Sequence, residues 1–364
     1  MKSYIKNKKT THLNIVQGDD RMHCKKEQKN NALEFYRLLF TIVIIIHHSQ
    51  YFVGKLSWLK NGYICVEFFF ILSGYLLYKS FSKEENHSTL NYLRKRIQRL
   101  WPEYAVAALL AILANAIILK NFNLTKAINE LLMVQNTGLF RLGGYNYPCW
   151  YIPVMFACGA FIYSILSLWK KQYIRFFAPL IILIGYTYIN GLDRGLEAFG
   201  YTSFFSNMMV RGMCEMSIGV LIGVLVEKDL FTNTNPFACT IIEITSIAFV
   251  VIGITTDIVA DMVTIVAFSV LVAITIVNKG YISSKVLSSG LWNVCGKYTY
   301  AAYLNHAMIL YILSYVNGHL FAINHFIRIP LALALVFIYA LLSNKLIWKF
   351  IGSLQRKHRI RVFG

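Results

Sequence analysis

Arg37 and His48 stand eleven positions apart in one apolar run. On a helix that is close to three full turns, so both project from one face, roughly 16 Å apart along the axis. Thr41 shares the face, whereas His47 points well to the side. An imidazole in such a run can take a proton from a hydroxyl or attack a carbonyl carbon. A guanidinium lower on the same face can hold phosphate or carbonyl oxygens. Ionisable groups inside apolar spans are costly and so point to function. The plainer alternative is an arginine reaching to the headgroups, with a histidine pair near the opposite boundary.

A second apolar run, Val66 to Leu76, contains Glu67. If the two runs form a hairpin with its turn near residues 54–60, Glu67 and His48 lie at similar depth, and Glu67 is expected to face His48 and fix its tautomer. A hydrated Glu67 near the outer interface is the other reading. Ser73-Gly74 reads as a close helix contact and not as a nucleophile. Arg96 and Arg99 are three apart and share a helix face, a pairing that suits phosphate. Alternatively they belong to an ordinary basic loop, with Arg99 bonding Glu103 one turn on. Trp150-Tyr151 opens a later span, Glu215 lies deep in another, and His306 lies in the last but one. These four are candidates for a substrate pocket.

The elements that must hold these groups are membrane helices. Of 364 residues, 57% are hydrophobic, and the mean hydropathy is +0.51, too apolar for a soluble chain of this length. Ten spans are expected, at 33–53, 62–78, 104–119, 150–168, 176–190, 204–226, 237–254, 260–277, 297–316 and 329–350. The fold class is thus an all-α polytopic bundle in the lipid bilayer. Residues 1–32 form a basic tail, 33–350 the membrane domain, and 351–364 a second basic tail. The net charge of +19 gathers at the ends of spans. Putting both termini inside satisfies the cytoplasmic bias of Lys and Arg, and no nucleic acid partner is called for. Seven scattered cysteines show neither CxxC nor metal spacing, and no bound cofactor is implied. The longest outer segment, 121–149, is amphipathic and then rich in Gly and Tyr, as functional loops often are.

In order along the chain, these elements resemble the acyltransferase 3 family of integral-membrane O-acyltransferases. Arg37 and His48 look like its R-x10-H. Glu67 to Leu76 looks like its FFxxSGYL-type second span, and Arg96 to Pro102 like its RxxR followed by an apolar residue and Pro. Trp150-Tyr151-Ile152 and Tyr303-Leu304-Asn305-His306 look like its mid-chain aromatic opening and late YLxH. Asn305 stands where the family more often has an apolar residue. The resemblance implies acetyl-CoA, or another acyl-CoA, as donor and a hydroxyl of a surface glycan or its lipid-linked precursor as acceptor, in a bacterial cytoplasmic membrane. His48 and Glu67 would be catalytic, with Arg37, Arg96 and Arg99 binding the donor. Some members carry an esterase-like domain after the last span. This chain ends in a short basic tail, so it is expected to manage without that domain or to use a partner. A transporter or flippase without acyl chemistry would also need buried Arg, His and Glu, although no inverted repeat is visible.

Overall fold

The computed structural model describes residues 30–363, apart from 55, 119, 140, 141, 194, 198, 199, 202–204, 232 and 321. Most of the expected N-terminal tail and the side chains of the C-terminal one lie outside the described residues. The helices are α1 (Asn31–His48), the single turn α2 (Gln50–Val53), α3 (Cys65–Lys83), α4 (Thr89–Ile118), α5 (Leu124–Leu131), α6 (Tyr151–Gln172), α7 (Ala178–Asn190), α8 (Asn207–Glu227), α9 (Pro236–Thr255), α10 (Asp261–Val277), the short α11 (Leu291–Gly296), α12 (Thr299–His319) and α13 (His325–Phe363). No strand occurs among the described residues.

Among the described residues six segments are long and apolar enough to cross a membrane: Gly62–Ser82, Thr89–Ile118, Tyr147–Asn190, Asn207–Glu227, Pro236–Thr255 and His325–Ser353. The third contains both α6 and α7, joined by a π-helical turn at Tyr173–Phe177. Helix α10 has only 17 residues. Polar groups interrupt α1 and α12, and those groups build the site. Helix α4 begins fifteen residues before the expected Tyr104. Tyr92, Leu93 and Leu100 continue a helical spacing and pack against the core, so the basic segment is drawn into the helix.

Helix α3 divides its faces between two tasks. Glu67, Ile71 and Gly74 lie on one face, at helical spacing. A β-carbon on Gly74 would collide with the Met216 backbone carbonyl, and one on Gly219 with that of Ile71. Only glycine permits this approach of α3 to α8, the packing common between membrane helices. The expected close contact at Ser73-Gly74 is therefore made by Gly74 alone. Val66, Phe69, Ser73 and Leu76 lie on another face and line a cavity.

The segment after α4 folds back along it. Asn123 caps α5, accepting from the Lys126 amide at 2.9 Å. Tyr104 Oη then donates to the Glu130 carbonyl at 2.9 Å, and Ala127 packs on Ala111 and Ile112. The buried Glu130 carboxylate accepts from the Tyr145 and Asn146 amides at 2.6 and 3.0 Å. Burial pushes this carboxyl up to about 7, against the pull of those amides and of Lys126. Asn146 Nδ2 donates to the Leu304 carbonyl at 2.7 Å, and Tyr303 Oη to that of Pro148. The end of the Gly/Tyr-rich stretch, from Tyr145 to Pro148, is thus clamped between Glu130 and α12. Glu130→Gln presents an NH2 group to one of the two amides and weakens the clamp by about 1–3 kcal/mol. Cys149, buried beneath it, should then react with maleimide about 10-fold faster or more. Mass spectrometry of the Cys149 peptide reads this, and unchanged labelling would mean that Glu130 does not hold the loop.

Candidate active site

Helices α1 and α12 cross where each carries a histidine. His48 Nδ1 lies 2.8 Å from His306 Nε2, with the two rings stacked 5.0 Å apart. His306 Nδ1 lies 2.6 Å from the Tyr303 carbonyl. A carbonyl only accepts, so His306 Nδ1 carries a proton and its Nε2, in the neutral ring, accepts. His48 Nδ1 must then donate to it, and the lone pair of His48 is left on Nε2. One backbone carbonyl therefore sets the tautomers of both rings. Tyr147 packs edge-on against His48 at 5.4 Å.

The expected pairing of Glu67 with His48 does not occur. Glu67 lies on the α8 face of α3, where its carboxylate takes a hydrogen bond from Arg211 Nη2. Arg211 is 2% exposed and Glu67 and Glu215 are 0% exposed, so these charges sit in the protein interior, where a guanidinium on the facing helix holds a carboxylate more firmly than a distant imidazole. Arg211 Nη1 also donates to the Leu196 carbonyl at 2.6 Å, and its guanidinium lies 5.1 Å from the Trp150 ring centre. Trp150 and Glu215 thus belong to this ion network. Neither lines the cavity.

The cavity, about 340 Å³, is walled by α1, α3, α4, α6 and α12. Arg37, Lys95, Arg96 and Arg99 rim one part of it, and Tyr151 and Tyr303 line another. Arg37 Nη1 donates to both oxygens of Glu34 at 2.9 Å. Among the described residues no carboxylate pairs with Arg96 or Arg99. Glu103, the alternative partner of Arg99, accepts instead from Asn344 and Trp348 of α13, each at 2.5 Å. Arg96 rests 5.3 Å from the Tyr92 ring centre and 3.5 Å from Met155 Sδ. At the rim Lys95 pairs with Glu84 at 2.7 Å. Burial raises the Glu84 carboxyl, but hydrogen bonds from Lys95 and Tyr163 outweigh it and hold the group below the usual carboxylate range.

Arg37 and Thr41 line this space, and His48 stands beyond its inner end, not on its wall. The link is Tyr303, which lines the cavity and contacts the His306 ring at 5.7 Å. Sequence reasoning thus brought together Arg37, Arg96, Arg99 and Tyr151. It missed the partnership of His306 with His48 and the role of Arg211. The signal for Arg211 was available, since a charge within an apolar run needs a counter-charge and Glu67 is a carboxylate in another such run.

Relatives are distant. The chain is 24% identical over 382 residues to proteins named "Putative O-acetyltransferase" from Staphylococcus aureus strains MSSA476 and MRSA252, covering 93% of this chain and 59% of theirs. The chain therefore spans less than two thirds of the length of these relatives. An "O-acetyl transferase" of Shigella phage Sf6 is 25% identical over 148 residues, covering 36% of this chain and 44% of its own. No solved structure matches. The family described as "Acyltransferase domain" matches residues 30–345, which include both imidazoles and all three arginines of the cavity, and the chain belongs to that family.

Proposed function

We propose that this protein transfers an acetyl group from acetyl-CoA to a hydroxyl of a cell-surface glycan or its lipid-linked precursor. It does so within the cytoplasmic membrane as a bundle of ten spans with both termini inside. The observation that carries the reading is the bond chain from the Tyr303 carbonyl through His306 to His48, which leaves a basic nitrogen at His48 Nε2. That nitrogen takes the proton of the acceptor hydroxyl as its oxygen attacks the thioester carbonyl. The C–O bond forms, the C–S bond breaks, and the departing thiolate of CoA takes the proton that His48 Nε2 had accepted, which returns the imidazole to its neutral form. Arg96 and Arg99, with no carboxylate paired to them among the described residues, supply the fork geometry that suits the phosphates of the donor. Arg37 lies between them and the imidazoles on the α1 face.

Purified protein in nanodiscs, given labelled acetyl-CoA and deacetylated glycan, should transfer label. Arg96→Gln and Arg99→Gln should each raise KM for acetyl-CoA about 10-fold or more, the scale of a lost charge-assisted hydrogen bond, with a smaller effect on turnover at saturation. Unaltered donor dependence in the double variant would remove the phosphate assignment. Absence of transfer by the wild type would favour a transporter.

A further inference from the structure

Ser73 and Tyr151 form a polar pair on the largely apolar middle of the cavity wall. Their oxygens are 2.8 Å apart, and Tyr151 Oη also lies 3.1 Å from the Phe69 carbonyl. The carbonyl can only accept, so it takes the single phenolic proton. Ser73 must then donate its own proton to the Tyr151 oxygen. What Ser73 offers the cavity is lone pairs, an acceptor with no base beside it to make it a nucleophile. Gly74 carries the contact with α8, so the position of Ser73 on the cavity face owes nothing to helix packing there.

The pair lies midway along the passage. On α6, Tyr151 is one turn, roughly 6 Å, from Met155, whose sulfur touches Arg96. In the other direction the Tyr151 ring contacts that of Tyr303 at 6.1 Å, and Tyr303 contacts His306. The wall around it includes Ile44, Val66, Phe69 and Leu72. An amide N–H drawn into such surroundings is costly unless it finds an acceptor.

We propose that Ser73, oriented by Tyr151, accepts a hydrogen bond from an amide N–H of the pantetheine arm of the donor. This rests on the acyl-CoA reading above. In an acyl-CoA the phosphates and the thioester are at opposite ends, and two amides lie between them. The cavity repeats that order, with guanidinium groups at the rim, a hydroxyl acceptor midway, and imidazoles beyond the inner end.

The test compares wild type and Ser73→Ala in nanodiscs with two donors. S-acetylpantetheine keeps both amides, and S-acetyl-2-mercaptoethanol has neither. Ser73→Ala should lower kcat/KM about 3- to 10-fold with S-acetylpantetheine, the range of one neutral hydrogen bond, and leave the amide-free donor unaffected. Ser73→Thr, which retains the hydroxyl, should restore most of the loss. Equal losses with both donors would show a bond that only ties α3 to α6, and no loss with either would overturn the proposal. If Ser73→Ala does not fold, the wild type decides alone. Ester analogues of S-acetylpantetheine, each lacking one N–H, should include one that is used worse by the same factor, and equal use of all would overturn the proposal. Wild type that transfers nothing even from acetyl-CoA would instead refute the donor reading itself.

Discussion

His48→Ala should lower acetyl transfer on the order of 10²- to 10⁴-fold, the contribution of a positioned general base, while the protein still inserts and elutes as a single species. The direction of the His48–His306 bond gives the experiment its resolution. His306→Ala leaves His48 Nδ1 without its acceptor and frees the ring to take the other tautomer, so it should approach the loss of His48→Ala. His306→Gln offers a carbonyl oxygen at the same place and should lose less. His47 is engaged elsewhere, with Gln50 Nε2 at 3.1 Å and the Leu59 carbonyl at 3.4 Å from its Nδ1. His47→Ala should therefore be the mildest of the four. Initial rates with labelled acetyl-CoA, normalised to folded protein, rank them. Equal losses at His47 and His48 would dismiss the assignment of His48 as base.

The second large effect concerns folding. Arg211→Ala strands Glu67 and Glu215 in the interior without a counter-charge, a disruption worth about 3–5 kcal/mol. Folded yield should collapse, with a markedly lower Tm for what survives. Glu67→Gln should be milder, since one carboxylate remains for Arg211. Combining Glu67→Gln and Glu215→Gln with Arg211→Met removes charge on both sides and should recover much of the stability lost in Arg211→Ala. Fluorescence-detected size exclusion with a thermal ramp measures all three. Wild-type behaviour of Arg211→Ala would mean that the buried ion pair contributes nothing to the bundle.

Much of this site was visible as helical spacing. Arg37, Thr41 and the Arg96–Arg99 pair face the cavity because residues at i, i+3, i+4 and i+11 share a helix face whatever surrounds it. Neighbours were harder to read. Depth alone placed Glu67 beside His48, yet direction decided the matter, and the Glu67–Ile71–Gly74 row already pointed to whichever helix Gly74 touches. His306 is 258 positions from His48 in sequence, and no local pattern encodes such a meeting. The early start of α4 was masked because a hydropathy window counts charge and overlooks Tyr92 and Leu100 on the buried side. The Glu130 clamp was hidden for a similar reason, since its partners are backbone amides, which leave no trace in residue type.

The glycine seam between α3 and α8 bears on the sizes of cargo this chamber can hold. Main chain lies against main chain there, with no side chain in between that could swing aside. The α3 backbone cannot retreat towards α8, and any backbone movement that widens the space for a bulkier acyl tail must come from the other walls, α1, α4, α6 or α12. A variant able to carry longer chains should be sought by trimming side chains that face the space, such as Phe69 and Leu72, and not by displacing α3 as a whole.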